Sequence, residues 1–339
     1  MVDWLPRAAA RRPDHPAVVA DGVTLTYAEL LERARAAEPI ADLTRPPGLE
    51  FAVDLHALLL AGGPLVVRTS GSTGEPKAVT LSAGNVLASA LGTAAMLGVH
   101  RDDRWLCPLP LNHVGGLMVL LRSVVYATTA SIGPTDPEAT LASFVPTQLR
   151  RGQDAGMPRL RAILLGGGPI PDDLRSAAGV HETYGMTETC SMAALDGFPL
   201  PGVDVSIAED GEIVISGPIV AVPGGVHRTG DLGVIEDGRL RVTGRKADTI
   251  ITGGENVAPA EVERVLERHP DVLEAAVVGR PDPEWGEALV ALVVGDADPD
   301  GLIAFARERL PGFKVPKAVE RVDALPRNGA GKLVRRSLR

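Results

Sequence analysis

The segment Thr69-Ser-Gly-Ser-Thr-Gly-Glu-Pro-Lys77 contains four hydroxyl side chains, two glycines and a terminal lysine within nine residues. Glycines let successive backbone N–H groups converge on anionic oxygens, and Ser and Thr hydroxyls add further donors. Because Gly74 is followed by Glu75 and Pro76 instead of Lys and Ser or Thr, the segment is not a Walker A loop. By itself, it predicts either a triphosphate-binding loop or a polar surface loop.

Five further motifs follow this segment in a fixed order. They are Tyr184-Gly-Met-Thr-Glu-Thr189, Thr229-Gly-Asp231, Gly244-Arg245, Gly253-Gly-Glu-Asn256 and Asn328-Gly-Ala-Gly-Lys332. The set resembles the adenylate-forming superfamily of acyl-CoA ligases, nonribosomal-peptide adenylation domains and luciferases, and the resemblance runs from about Thr69 to Lys332. It implies an α/β large N-terminal domain of layered mixed sheets and helices, followed by a small, mobile α+β C-terminal domain.

Length and composition agree with that fold class. The 339 residues predict about two domains, and 45% hydrophobic residues are enough for a sizeable core. No stretch is apolar for long enough to span a membrane, and the first 21 residues lack the apolar run of a signal peptide. The sequence therefore predicts a soluble, cytoplasmic protein without membrane insertion.

Charge and cysteine content exclude other classes of function. Two cysteines and seven scattered histidines favour neither a disulfide framework nor a transition-metal centre. A net charge of −9 argues against a broad nucleic-acid surface. The terminal residues, Arg335-Arg-Ser-Leu-Arg339, are interpreted as a solvated basic tail that could help attract the phosphates of a cosubstrate.

Apolar patterns predict several elements. Strands are predicted at 160–165, 105–111, 275–279 and 288–295, and amphipathic helices at 261–268 and 302–310. The first of these strands ends in Gly166-Gly-Gly-Pro169, a turn of the kind that lies at the carboxyl edge of a sheet. Near Gly244 the strand-like runs give way to a charged linker. This change of composition predicts a large domain at 1–243, a hinge at 244–248 and a small domain at 249–339. In most members of the superfamily the phosphate loop lies well over a hundred residues into the chain, so its start at Thr69 implies an N-terminally shortened large domain.

The resemblance implies how ATP is bound. The loop would hold the β- and γ-phosphates, Tyr184 and the glycine turn would flank adenine, and Asp231 and Arg245 would meet the ribose or phosphate. The residues implied for ATP or AMP are Thr69, Ser70, Gly71, Ser72, Thr73, Gly74, Lys77, Gly166, Gly167, Gly168, Tyr184, Gly185, Met186, Thr187, Asp231 and Arg245.

The resemblance also implies a catalytic set of Lys332, Glu188, Thr187 and His113. Glu188 would ligate the Mg²⁺ that accompanies ATP, since one carboxylate plus phosphates and waters is typical of Mg²⁺. Thr187 would touch the α-phosphate, and Lys332 would bridge the carboxylate and the α-phosphate. His113 would contact the reacting carboxylate, although a histidine that follows a strand is also commonly structural.

Two half-reactions are implied, namely formation of acyl-AMP with release of pyrophosphate and displacement of AMP by the thiol of CoA. Gly253, Gly254 and Glu255 would line the thiol channel. Trp285 matches a position that stacks on CoA in some ligases, although a buried structural tryptophan is also expected there. The hinge position, commonly Asp or Lys, is Ala247, and the next residue is Asp248.

Three segments narrow the choice of carboxylic acid substrate. Residues 143–149, 164–171 and 184–191 resemble the o-succinylbenzoate–CoA ligases of menaquinone biosynthesis, a family within the superfamily. Its substrate carries a second carboxylate that needs a partner. Arg122 interrupts an apolar run and is a candidate, although its side chain could instead snorkel to solvent. Thr147, Gln148 and Ser191 are neutral candidates for the same task, and His113 would lie at the activated end.

Other functions stay open at this stage. A fatty-acyl or aryl-CoA ligase, or an adenylation domain that loads a carrier protein, would use the same motifs. A degenerate ATP-binding regulatory protein is the non-enzyme alternative, and the presence of Lys77, Glu188, Asp231 and Lys332 together argues against it. The expected small-molecule partners are ATP, CoA and a carboxylic acid, and a homodimer is left open.

Overall fold

The structure is a computed structural model, and it describes residues 3–39, 46–70, 76–154, 160–327 and 333–338. The chain packs as two compact units. The first comprises 1–205 and 214–227, and the second comprises 206–213 and 228–339. The unit division thus lies at residue 228, earlier than the boundary at 243 that the sequence predicts. The hinge at 244–248 stays a prediction.

The first unit is an α/β structure whose helices and strands alternate along much of the chain. Its helices are α1 (Trp4–Arg11), α2 (Tyr27–Ala36), α3 (Leu49–Leu60), α4 (Ala83–Leu97), α5 (Val114–Tyr126), α6 (Pro146–Asp154) and α7 (Asp172–Arg175). Its strands are β1 (Pro16–Ala20), β2 (Val23–Thr26), β3 (Leu65–Ser70), β4 (Pro76–Leu81), β5 (Arg104–Cys107), β6 (Thr129–Ile132), β7 (Leu141–Phe144), β8 (Ala162–Leu165), β9 (Val180–Met186), β10 (Ser191–Leu195) and β11 (Phe198–Pro199).

Nine of these strands form one sheet in the order β11-β10-β9-β8-β7-β5-β6-β1-β2. Its central strands, from β9 to β1, are parallel, and an antiparallel strand or hairpin closes each edge. Strands β6, β7 and β8 are buried at every residue, as expected for parallel strands covered on both faces. Strands β3 and β4 form a separate antiparallel hairpin.

Local sequence signals explain several boundaries in this unit. Thr26 and Ser82 begin α2 and α4 with reciprocal capping boxes. The strand predicted at 105–111 ends at Cys107, because Pro108 and Pro110 cannot donate ladder hydrogen bonds. The strand predicted at 160–165 is confirmed as β8, and it begins two residues later, at Ala162.

The described residues of the second unit form two sheets and two α-helices. The chain crosses between the units within β12 (Asp204–Ile207), β13 (Glu212–Ser216) and β14 (Val226–Glu236). The elements that follow are β15 (Arg239–Arg245), β16 (Ile250–Thr252), β17 (Glu255–Val257), α8 (Pro259–Leu266), β18 (Val272–Asp282), β19 (Gly286–Gly295), α9 (Pro299–Arg307) and β20 (Ala318–Arg321). The sheet orders are β12-β13-β14-β15 and β17-β16-β19-β18, with β20 parallel to β19.

The helices and strands predicted for the C-terminal part are confirmed with shifted ends. Helix α8 begins at Pro259, which suits the first helical turn, and α9 begins after Asp298, whose side chain accepts a hydrogen bond from the N–H of Gly301 (2.8 Å). The apolar faces of both helices pack on Val277, Leu289 and Ala291 of the long β18–β19 hairpin. No helix in the described ranges is long and apolar enough to cross a membrane.

Candidate active site

Four loops of the first unit follow the carboxyl ends of neighbouring parallel strands. They come after β5, β7, β8 and β9. Those after β5, β8 and β9 carry His113, Gly166 to Gly168, and Thr187 with Glu188, respectively, and the connection after β7 leads at once to Thr147 in the first turn of α6. Because parallel strands present their carboxyl ends at the same edge of a sheet, these loops share one edge. Open α/β sheets bind ligands at such an edge, so the topology brings together residues that are far apart in sequence.

The glycine turn after β8 lies against β9. A Cβ on Gly166 would stand 2.2 Å from Oγ1 of Thr183, and Gly167 has φ +82°, so neither position accepts a larger residue without strain. The Thr183 hydroxyl donates to the carbonyl of Leu165 (3.1 Å), which fixes the two strands at this point. Tyr184 is the next residue and is half-buried. The predicted contacts of Tyr184 and the glycine turn with adenine stay a prediction.

The turn that carries Glu188 is held by its own backbone. Residues 187–189 form a 3₁₀ turn, in which the N–H of Met186 donates to Oγ1 of Thr189 (3.0 Å). Cys190 and Ser191 then adopt φ of 51° and 82°, a left-handed conformation that is costly for residues other than glycine. The carbonyl of Glu188 accepts a hydrogen bond from the N–H of Ala221 (2.7 Å). The backbone of this turn is therefore fixed, and strain is concentrated beside the predicted metal ligand.

The side chain of Glu188 suits a role as a Mg²⁺ ligand. It is half-buried and makes no hydrogen bond or ion pair to another described residue, so its carboxylate is available to a cation. Within the described part of the chain, no group of three His, Cys, Asp or Glu side chains could hold a metal by itself. This arrangement fits Mg²⁺, which is usually held by one or two carboxylates together with substrate phosphates and water.

The β3–β4 hairpin flanks the segment that the sequence predicts to bind phosphate. Thr69 faces Lys77 and Ser70 faces Pro76 across the hairpin, and Oγ1 of Thr69 donates to the carbonyl of Lys77 (3.3 Å). The side chain of Lys77 is exposed. Gly71, Ser72, Thr73 and Gly74 lie outside the described residues, so their phosphate contacts stay a prediction.

His113 lies just before α5 and Gln148 lies in the first turn of α6, and the two side chains differ in their surroundings. His113 is exposed and precedes the first residue of α5, where its carbonyl accepts from the N–H of Leu117 (2.9 Å). The Gln148 amide instead donates to the carbonyl of Pro108 (3.0 Å) and accepts from the N–H of Val145 (3.3 Å). Through these bonds the Gln148 side chain connects the segment after β5, at Pro108, with the residue that follows β7, Val145. Thr147 and Ser191 are half-buried, and their predicted contact with substrate stays a prediction.

Arg122 is buried in the first unit, and the interpretation that it snorkels to solvent is wrong. The residue is 2% exposed on α5. Its Nη2 donates to Oγ of Ser89 (3.1 Å), and its guanidinium carbon lies 5.9 Å from the centroid of the Trp105 ring. Among the described residues, its Nε has no hydrogen-bond partner. Burial lowers the pKa of the guanidinium, which makes this a buried cation with incomplete compensation.

A chain of hydrogen bonds connects Arg122 to the strained turn. Ser89 accepts from Arg122 and donates to the carbonyl of Cys190 (2.9 Å). Cys190 is also buried, and desolvation raises the pKa of its thiol to about 12. The backbone just after Glu188 is thus linked to the buried guanidinium through a single hydroxyl.

In the second unit, the predicted pair Asp231 and Arg245 is brought together. The two residues are partners in the β14–β15 register, and Nε of Arg245 lies 2.7 Å from Oδ1 of Asp231. Asp231 is 7% exposed, and its N–H donates to Oγ1 of Thr229 (3.1 Å). The pairing orients one carboxylate oxygen, while the predicted contact with ribose is untested.

The predicted CoA residues surround one tryptophan. The N–H of Gly253 donates to the carbonyl of Trp285 (2.8 Å), and a Cβ on Gly253 would lie 3.0 Å from the indole ring. Trp285 is half-buried, so the interpretation that it is a buried core residue is wrong. Nζ of Lys317 lies 4.1 Å from the ring centroid, a cation–π contact that sequence reasoning missed. No local signal could have revealed it, because Lys317 is distant in sequence from Trp285. Gly254 and Glu255 complete the β16–β17 turn.

Residues at the predicted hinge and tail also meet. Ala247 and Asp248 belong to a 3₁₀ turn at 246–248. Asp248 lies 3.3 Å from Nε of Arg335, which is mostly buried, so the interpretation of Arg335 as part of a solvated tail is wrong. Lys332 lies outside the described residues.

Comparison with known proteins places these features in a family. The model of the AMP-binding enzyme family matches residues 65–223, and that of the AMP-binding enzyme C-terminal domain matches residues 261–332. The chain is 40% identical to the 2-succinylbenzoate–CoA ligase of Bacillus cytotoxicus over 83% of this chain and 70% of that protein.

Solved structures agree with the sequence comparison. The o-succinylbenzoate CoA synthetase of Bacillus subtilis, in complex with the acyl-adenylate intermediate OSB-AMP, aligns with a TM-score of 0.86 and 28% identity, covering 100% of this chain and 98% of that one. The same synthetase with ATP and magnesium ion also aligns with a TM-score of 0.86 and 28% identity, covering 99% of each chain.

The described fold and these matches define an adenylate-forming enzyme with a large α/β domain and a smaller C-terminal domain, which confirms the predicted fold class. The chain belongs to the AMP-binding enzyme family, in the group formed by the 2-succinylbenzoate–CoA ligases. It is therefore an AMP-forming acid–thiol ligase.

Proposed function

We propose that this chain joins 2-succinylbenzoate to CoA at the expense of ATP, in the step that serves menaquinone biosynthesis. The observation that carries the proposal is 40% identity to a 2-succinylbenzoate–CoA ligase over 83% of the chain. The uncommitted carboxylate of Glu188 at the carboxyl edge of the sheet supports it.

The reaction divides into two displacements. A carboxylate oxygen of the acid attacks the α-phosphorus of ATP, an O–P bond forms, and pyrophosphate leaves to give acyl-AMP. The sulfur of CoA then attacks the acyl carbon, a C–S bond forms, AMP leaves, and the thiol proton passes to solvent. The protein must hold both partners in line and stabilise the charge that develops at phosphorus.

Residues of the first unit have separate roles in the formation of acyl-AMP. Lys77 supplies a cation to the β- and γ-phosphates, while Tyr184 and the glycine turn bind adenine. Thr187 contacts the α-phosphate, and His113 orients the reacting carboxylate. When Mg²⁺ is bound by Glu188, it neutralises charge on the phosphate oxygens.

The residues of the second unit complete the set. Asp231 receives the ribose hydroxyls in an orientation fixed by Arg245 (2.7 Å), and Lys332 bridges the carboxylate and the α-phosphate. Between the two steps, rotation about Ala247 and Asp248 would withdraw Lys332 from the reacting groups. The same rotation would present the Gly253–Gly254 turn as a lining of the thiol channel. Trp285 and Lys317 offer an aromatic face and a cation to CoA.

Arg122 is proposed as the partner of the second carboxylate. A buried charge is costly unless it is paired, and the described groups that face this guanidinium are the Ser89 hydroxyl, the Trp105 ring, the Tyr126 phenol and the Cys190 thiol, none of them a carboxylate. The hydrogen-bond chain through Ser89 to Cys190 places it next to the turn that follows Glu188. A dicarboxylate would supply the missing anion.

The direct test is product analysis. The purified chain is incubated with Mg-ATP, CoA and 2-succinylbenzoate, and the products are identified by mass spectrometry. The proposal expects the mono-CoA thioester, AMP and pyrophosphate. Aliphatic acids, benzoate and a carrier protein in place of CoA are assayed in parallel. Faster turnover of one of those alternatives, or ATP binding without turnover, would overturn the proposal.

A further inference from the structure

Arg335 makes several side-chain polar contacts between the C-terminal segment at 333–338 and the rest of the second unit. Both terminal nitrogens of Arg335 bond the carboxylate of Glu263, with Nη2 to Oε2 at 2.7 Å. Nη1 also donates to the carbonyl of Val277 (3.1 Å), and Nε lies 3.3 Å from Oδ2 of Asp248. The side chain is 15% exposed. All three of its nitrogens are thereby committed.

The partners of Arg335 lie on fixed elements. Glu263 is 5% exposed on α8 and also accepts a short hydrogen bond from the N–H of Val277 on β18 (2.6 Å). Burial alone would lower the pKa of Arg335, but Glu263 and Asp248 outweigh it, so the net shift is upward and the cation is held in its charged form. A two-pronged arginine–carboxylate bond fixes direction as well as distance, which lysine cannot reproduce.

The described residues on either side of 328–332, a stretch that lies outside the described ranges, contact each other. Arg327 and Leu333 form an antiparallel bridge, and the N–H of Val334 donates to the carbonyl of Pro326 (2.9 Å). Leu333 packs on a cluster that includes Val278 of β18. The residue directly after Lys332 is therefore tied to the sheet, and Arg335 lies two residues further on.

We propose that Arg335 is a positioning residue for the first half-reaction. Through Glu263 and Val277 it fixes the backbone that follows Lys332 in the chain, and through Asp248 it connects that backbone to the predicted hinge. The inference rests on the proposed role of Lys332. A small displacement of a charge that must meet a phosphorus centre can cost as much as about a hundredfold in rate.

The test measures the two half-reactions separately. Acyl-AMP formation is followed as pyrophosphate release without CoA, and thioester formation is followed from preformed acyl-AMP. Arg335→Lys keeps the positive charge but cannot make the two-nitrogen bond to the Glu263 carboxylate. We expect it to slow acyl-AMP formation about tenfold or more, with the loss in kcat and not in the KM for ATP. Thioester formation should stay within about twofold of the unmodified protein. Asp248→Asn, which removes only the outer contact, should produce a smaller loss in the same step.

A matched control separates positioning from folding. Arg280 bonds Glu320 with two nitrogens on the same unit and is not attached to the tail, so Arg280→Gln should lower neither half-reaction. Melting temperatures of all variants are recorded. Equal losses in both half-reactions, or a lower melting temperature with both rates intact, would overturn the inference and leave Arg335 a purely structural role. Lys332→Ala is assayed alongside, because normal acyl-AMP formation in that variant would remove the proposed role of Lys332 itself.

Discussion

The role proposed for Arg122 would make one buried side chain important for both stability and substrate specificity. Its guanidinium is 2% exposed and bonds one hydroxyl, so in the free protein it is a buried charge with incomplete compensation. Such charges persist at functional sites where a ligand completes them.

We therefore expect Arg122→Leu to raise the KM for 2-succinylbenzoate by one or more orders of magnitude, with the KM for ATP little changed. Loss of a charged partner for a buried carboxylate costs about 2 to 5 kcal/mol. Steady-state kinetics with 2-succinylbenzoate and with an analogue lacking the ring carboxylate provide the measurement. The KM for the analogue should hardly change in the variant. A similar loss for both acids would make Arg122 structural.

His56 gives the first unit a pH dependence. It is 2% exposed on α3, its Nε2 has no hydrogen-bond partner among the described residues, and burial lowers its pKa to about 4. Because the unfolded chain binds a proton near pH 6.5 and the folded chain does not, stability is fully present above that pH. It is lost as pH falls from about 6.5 to about 4, by roughly 3 kcal/mol in total.

His56→Phe should flatten that dependence. Urea unfolding at about pH 7.5 and about pH 4.5 gives the free energies of unfolding, and the variant should lose less stability between the two than the unmodified protein does. Leu58→Val on the same helix is the control, since it shortens a buried side chain by one methylene group and should cost about 1 kcal/mol at both pH values. An unchanged pH dependence in the His56 variant would show that other groups produce it.

At the scale of elements, the β9–β10 hairpin presents Tyr184 and the Glu188 turn. A Cβ on Gly185 would stand 1.8 Å from the carbonyl oxygen of Ser191, a backbone atom that cannot move without opening the hairpin. Close backbone approach, rather than a left-handed φ, explains this glycine.

Gly185→Ala should destabilise the first unit by about 3 kcal/mol and disturb ATP binding together with it. Thermal unfolding and the Kd for ATP are the measurements. Gly84→Ala is the matched control, because a Cβ there would meet only the Ser82 hydroxyl, at an ordinary 3.6 Å, on the first turn of α4. If Gly185→Ala left both quantities intact, the hairpin would be more compliant than its geometry indicates.

At the scale of the whole molecule, the two half-reactions need different groups. The role proposed for Glu188 is confined to the step that uses the triphosphate, so chelation of Mg²⁺ should abolish acyl-AMP formation from ATP. Thioester formation from preformed acyl-AMP should continue. Pyrophosphate release and thioester formation, measured with and without a chelator, test this, and added Mg²⁺ should restore the first step. Equal inhibition of both steps would count against the assignment of Glu188.

Local pattern was sufficient for much of the fold. The apolar run at 160–165 predicts β8, and the helical spacing of Val262, Val265 and Leu266 predicts α8. Both predictions succeed because each pattern lies within a single helix or strand and does not depend on distant residues. Ends were less predictable. Pro299 extends α9 upstream of the predicted start at Leu302, since proline is favoured in a first turn.

The sequence by itself determined the chemistry of this protein, because glycines, hydroxyls and Glu188 occur in short motifs whose spacing is local. Tertiary structure alone decided which charges are buried and with what they pair. Arg335 reaches Glu263 across 72 residues, and Arg122 reaches Ser89 across 33. Neither pairing leaves a periodic trace in the chain. The free energy of a charged side chain depends on the solvent it loses and the partner it gains, and only the packed fold determines both.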